Sequence, residues 1–129
     1  MTKQRKPKTT RVPKTRNAGK FTESQFWGMI RSALRQKSRW WEPIKIVKQL
    51  NRRPYKGDNK RQKWEYQCNH CKRWVAEKYI SVDHIIPCGS LNCSDDLPGF
   101  VERLFCEISG LQCLCEKCHT AKTQLEKHG

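Results

Sequence analysis

Acidic residues are scarce in this chain and nearly absent from its first half. Residues 1–63 hold 20 of the 27 Lys and Arg but only Glu23, Glu42 and Asp58 as acids, a balance of +17. Residues 64–129 hold seven bases and nine acids, a balance of −2. Long apolar runs are missing as well. Nothing approaches the roughly 18 apolar residues that cross a bilayer, and the opening residues are too polar for a secretory signal. The expectation is a cytoplasmic protein with no membrane partner. Hydrophobic residues are 36% of the 129, too few for a large core, so one compact domain with a tail and a metal staple is expected. So one-sided a positive charge attracts a polyanion, usually nucleic acid.

Without a secretory signal, eight cysteines are expected as metal ligands and buried thiols in a reducing compartment, not as four disulfides. Cys68/Cys71 and Cys115/Cys118 each enclose two residues. That spacing puts two thiolates on one tight turn, and two such turns close the tetrahedron of a structural zinc. Cys88, Cys93, Cys106 and Cys113 lack a paired spacing and are expected as small buried hydrophobes. His70 lies inside the first turn and could replace a cysteine as ligand, but the four cysteines are the expected set.

Along the chain, residues 1–20 carry eight Lys and Arg and no acid, the composition of a disordered basic arm. Residues 21–63 read as a basic helical region that binds DNA. Thr22-Glu23-Ser24-Gln25 matches a capping box, and Phe26, Trp27, Ile30, Ala33 and Leu34 follow at helical spacing. Pro43 suits the first turn of a second helix with Ile44, Val47 and Leu50 inward. Asn51 to Lys63 reads as a basic loop around Pro54 and Gly57. Arg31, Arg35, Arg52, Arg53, Lys56, Lys60 and Arg61 are the candidate phosphate contacts of this half. In residues 64–129, Trp64 to Gln67 and Trp74 to Val82 are expected as strands. Helices are expected over residues 97–107 and 116–127.

Asp83-His84 falls between the two cysteine turns, and His119 directly follows Cys118. Phosphodiester hydrolysis needs a water activated near neutral pH and a divalent ion beside the phosphate. His84 can take the proton, because an imidazole titrates close to neutrality. Asp83 and His119 can hold one magnesium, manganese or similar ion with positions left open. Lys122, one turn after His119, would face the same side and could meet a phosphate. The expected class is a small α+β fold in which two strands and a helix surround this group.

The phrases C-N-H-C, V-D-H-I-I-P and L-Q-C-L-C-E-K-C-H-T-A-K, spread over Tyr66 to Lys122, resemble the zinc-clipped HNH endonucleases. The chain is similar to small bacteriophage HNH proteins, some of them homing endonucleases, which would place it in the host cytoplasm. The resemblance implies a ββα-metal core stapled by a four-cysteine zinc, acting on double-stranded DNA. It implies His84 as general base, Asp83 and His119 as ligands of the catalytic ion, and Cys68, Cys71, Cys115 and Cys118 as zinc ligands. One site of this kind nicks one strand per visit; cutting both strands needs a dimer or a second encounter. The family's central Asn usually precedes the Leu-Gln of the second zinc turn, where this chain has Gly110. Either another group such as Asn92 substitutes for it, or the chain is a zinc-stabilised nucleic-acid-binding module whose nuclease activity has lapsed.

Overall fold

Helix α1 (Glu23–Ser38) begins where its cap can form. Thr22 Oγ1 accepts the Gln25 amide at 3.1 Å, and Gln25 Oε1 accepts the Thr22 amide at 2.8 Å. The computed structural model describes residues 12–128, so residues 1–11 of the basic arm lie outside the described residues. The remainder of the arm departs from the disorder expected through residue 20. Arg16 pairs with Phe21 across a turn in which Asn17, Ala18 and Gly19 are left-handed. The Arg16 guanidinium also meets Glu23 at 2.5 Å and lies over the Phe26 ring at 4.3 Å. A cation with both a carboxylate and an aromatic face to bind can order a short turn that charge density alone would leave loose.

Helix α2 (Glu42–Leu50) carries Pro43 in its first turn, where a missing amide costs no hydrogen bond. Val47 is buried and Ile44 packs beside it. Leu50, expected inward, is instead 70% exposed, because the helix ends there and the chain turns away at Asn51. Strands β1 (Arg52–Pro54), β2 (Trp64–Gln67) and β3 (Trp74–Val75) form one antiparallel sheet in that order. Strands β4 (Ile80–His84) and β5 (Leu111–Cys115) form a second antiparallel pair, with Asp83 opposite Gln112.

Two expectations are corrected by these sheets. The start of the stretch expected as a basic loop is β1, and Pro54 is tolerated at its end because an edge strand can spare an amide. The strand expected over 74–82 is two strands in two sheets, separated by a 3-10 turn at Glu77–Tyr79. Helix α3 (Leu97–Leu104) lies within the 85–110 connection, and helix α4 (Glu116–His128) follows β5 directly.

Burial divides into two clusters. One gathers Val47, Tyr66, Cys68, Ile80, Leu111, Cys113, Leu114 and Cys115 between α2 and the sheets. The other joins Trp27 of α1 to Cys88, Leu91, Phe100 and Leu104 of the 85–110 connection. Both clusters take residues from each side of residue 64, so the basic region and the cysteine-bearing region share their cores. Of the unpaired cysteines, Cys88 and Cys113 are buried and Cys106 half-buried. Burial pushes the Cys113 thiol up to about 11, which keeps it neutral. Cys93 is exposed, against expectation, because it precedes a surface 3-10 turn at Ser94–Asp96. No helix among the described residues is long and apolar enough to cross a membrane.

Phe100 is fully buried at the centre of the second cluster, while Leu50 contributes to neither. Phe100→Ala is therefore expected to cost about 3–5 kcal/mol in urea unfolding, and Leu50→Ala about 0.5 kcal/mol or less. Comparable losses at the two positions would contradict this division of the core.

Candidate active site

The first tight turn, Cys68–Cys71, is closed by Lys72 N–H donating to Cys68 O at 3.0 Å and Cys68 N–H donating to Arg73 O at 2.9 Å. Lys72 takes a left-handed φ of 65° so that the chain can reverse around the sulfurs. The turn is pinned to β5 by Asn69, whose amide donates to Cys113 O at 2.8 Å and whose Oδ1 accepts the Cys113 amide at 2.6 Å. Asn69 Nδ2 reaches on to Asn51 Oδ1 at 2.9 Å, and Asn51 caps α2 through Val47 O. Sequence spacing carried no sign of these two asparagines. The second turn is the end of β5 running straight into α4.

These turns bring Cys68, Cys71, Cys115 and Cys118 together with all four sulfurs within 4.8 Å of one another. Cys71 Sγ and Cys115 Sγ stand 3.7 Å apart. A tetrahedral zinc with Zn–S near 2.3 Å sets its sulfurs about 3.8 Å apart, so the cluster fits a metal ion such as zinc. Without a cation, thiolates this close cannot all form. Against burial, which raises it, hydrogen bonds from Cys115, Cys71 and His70 bring Cys68 down to about 6. Burial, followed by the neighbouring sulfurs, pushes Cys118 up to about 12. His70 Nδ1 lies 3.5 Å from Cys118 Sγ, at the border of the cluster.

Strand β4 carries Asp83 and His84 from beside this cluster into a cleft of about 360 Å³. Helix α4 brings His119 and Lys122 to the same cleft, α1 brings Arg35, and the 85–110 connection brings Pro87 and Cys88. The two Asp83 oxygens are used differently. Oδ2 accepts Lys122 Nζ at 3.0 Å and Gln112 Nε2 at 3.2 Å, whereas Oδ1 faces His119 Nε2 at 3.8 Å. An ion about 2.1 Å from each of those two atoms fits between them, and an oxygen with an imidazole nitrogen is a donor pair suited to such ions.

His84 is held by its far nitrogen. Nε2 lies 2.9 Å from Leu104 O. A carbonyl can only accept, so Nε2 carries the proton and Nδ1 is left as the basic nitrogen. Hydrogen bonding with the Cys88 side chain, opposed by burial and supported by Leu104 O, raises the His84 pKa above its ordinary value. Lys122 donates to His84 O at 3.0 Å and also pairs with Glu126. Burial lowers its pKa, but Glu126 and Asp83 outweigh that and keep the ammonium charged.

Of the candidate phosphate contacts, Arg35 and Lys122 join the cleft, Lys122 already ion-paired. Arg31 lies on the same helix as Arg35 and reaches Leu91 O at 3.5 Å. Arg52 stacks on Trp64 at 3.9 Å, and Arg53 pairs with Glu65 while stacking on Trp74 at 3.8 Å. These two hold the β1–β2 hairpin. Lys56, Lys60 and Arg61 are exposed on its loop and do not line the cleft.

Gly110 has a steric reason. A Cβ there would stand 2.9 Å from Cys106 Sγ, while the Gly110 carbonyl accepts the Ile85 amide at 2.9 Å and fixes the end of the β4–β5 pair. Asn92 does not line the cleft; its amide donates to Asp96 Oδ2. The tether on His84 is instead the Leu104 carbonyl. Compared with protein-family models, curated proteins and solved structures, the chain gives no match.

A structural zinc contributes roughly 10–16 kcal/mol, as large as the whole 5–15 kcal/mol stability of an ordinary domain. Elemental analysis is expected to find one zinc per chain. Cys115→Ser, or a strong chelator, is expected to abolish the cooperative melting transition. Retention of that transition with zinc removed would count against the staple.

Proposed function

We propose that the chain is an HNH-type, metal-dependent DNA endonuclease in which β4, β5 and α4 form a ββα-metal core stapled by zinc. The observation that carries this reading is the convergence of Asp83, His84 and His119, from β4 and α4, on one cleft beside the four-sulfur cluster. Arg35 adds positive charge to the cleft, and the remaining basic residues of the N-terminal half supply sequence-independent attraction for the DNA backbone.

In this reading His84 Nδ1 takes the proton from the attacking water, its ring kept in register by the Leu104 carbonyl. Asp83 Oδ1 and His119 Nε2 would hold a divalent ion such as magnesium or manganese, which would supply positive charge to the scissile phosphate and the leaving 3′ oxygen. Gln112 and Lys122 fix the carboxylate by its other oxygen, so that Oδ1 stays turned toward His119. The Arg35 guanidinium is available to a non-bridging phosphate oxygen. One such site cuts one strand per encounter.

The Lys122 ammonium on Asp83, together with Gly110, favours a second reading: a zinc-stabilised nucleic-acid-binding module that no longer cuts. Supercoiled plasmid separates the two. With magnesium or manganese the zinc-loaded chain is expected to yield nicked circles. His84→Ala, with zinc content unchanged, is expected to slow nicking about 10²–10⁴-fold, the range for losing a general base. Plasmid bound but left intact in every metal would sink the nuclease reading.

A further inference from the structure

One edge of α1, beside the 85–110 connection, carries Arg31, Arg35 and Arg39 at four-residue intervals, one above the next along a single ridge. With Gly28, Ser32 and Gln36 they line an open groove of about 440 Å³. Arg35 borders both this groove and the cleft that holds Asp83 and His84, so the two are neighbours. Just past Arg39 stands Trp40, 80% exposed, the most exposed large hydrophobic side chain among the described residues.

Its backbone is fixed. The Trp40 amide donates to Lys37 O at 3.2 Å and the Trp41 amide to Ser38 O at 3.0 Å. Trp41 anchors the turn from the other side. Its indole donates to Cys106 O at 2.6 Å and packs edge-on against Phe105 at 5.3 Å. The chain therefore anchors one half-buried tryptophan and leaves its neighbour exposed directly after Arg39. A single exposed apolar residue needs no explanation, but an exposed indole on a hydrogen-bonded turn next to a row of arginines has the composition of a single-strand platform. Arginines follow the phosphates, and the aromatic face takes a base.

We infer that the α1 groove binds a single-stranded stretch of DNA leading from the cleft, with an unpaired base stacked on Trp40. A fully paired duplex keeps its bases stacked on one another and offers none to the indole, whereas a duplex with a single-stranded extension does. This inference rests on the nuclease reading only for the identity of the polyanion, since the groove and Trp40 take no part in the chemistry.

The test is binding without cleavage: fluorescence anisotropy with the full zinc-loaded chain carrying His84→Ala. The probes are a labelled blunt DNA duplex and the same duplex with a ten-nucleotide single-stranded extension. Trp40→Ala is expected to weaken binding to the extended probe about tenfold, within the range for one stacked base, and the blunt probe less than twofold. The salt slope should stay unchanged because no cation is lost, whereas Arg39→Ala should lower it by about one. Trp40→Phe should restore most of the affinity. Equal effects of Trp40→Ala on both probes, or none on either, would overturn the inference, as would a parent chain that binds neither. Plasmid nicking by a chain whose binding to the extended probe shows no Trp40 dependence removes only this inference; Trp40-dependent binding by a chain that never nicks removes only the nuclease reading.

Discussion

Closing Cys68 and Cys71 against Cys115 and Cys118 draws together two turns 44 residues apart, and the geometry of the cleft follows from that closure. Cys115 ends β5 and Cys118 lies in the first turn of α4, so fixing both sets the angle at which the helix leaves the strand. His119 and Lys122 are carried on that angle. On the other side, Asn69 locks the first turn to the Cys113 backbone, and β5 pairs with β4 in the register that places Asp83 opposite Gln112. Sulfur positions thereby decide where a carboxylate oxygen and an imidazole nitrogen meet. A metal staple suits a chain with two small clusters in place of one large core, because it concentrates in a few bonds what hydrophobic area would otherwise supply.

The second organising feature is the division of labour on Asp83. A carboxylate with both oxygens free can rotate and chelate in several ways. Here Gln112 and Lys122 occupy one oxygen, which leaves a single direction for an ion to approach. Lys122 also holds the His84 carbonyl, so one ammonium fixes the backbone of one candidate catalytic residue and the side chain of another. Such a lysine is read on a sequence as a free phosphate contact. In the folded chain it is already engaged.

Local chemistry was legible where it acts locally. The Thr22–Gln25 capping box, Pro43 in a first turn, the paired cysteine spacings and the proximity of His119 to Lys122 on one helix all depend on a few neighbouring residues. What lay outside such reach was missed for identifiable reasons. Strand β1 forms because β2 is there to pair with it, a partner supplied from across a basic loop. The break between β3 and β4 is a change of sheet, and alternation cannot register it. The Leu104 carbonyl that tethers His84 is a backbone atom, which no residue pattern identifies. Leu50 and Cys93 look like core residues by type, yet a helix end and a surface turn leave them outside it.

The second cluster has a consequence for the order in which the protein comes into being. Trp27, with Phe26, Ile30 and Leu34 around it, belongs to α1, but its partners Phe100 and Leu104 lie in the 85–110 connection. About 70 residues separate the two sides, on the order of 4–14 s of translation at 5–20 residues per second, before exit from the ribosome is added. Throughout that interval an aromatic, strongly basic helix has no native surface to bury its apolar face. The nascent chain must therefore carry α1 unprotected until the last third of the sequence emerges.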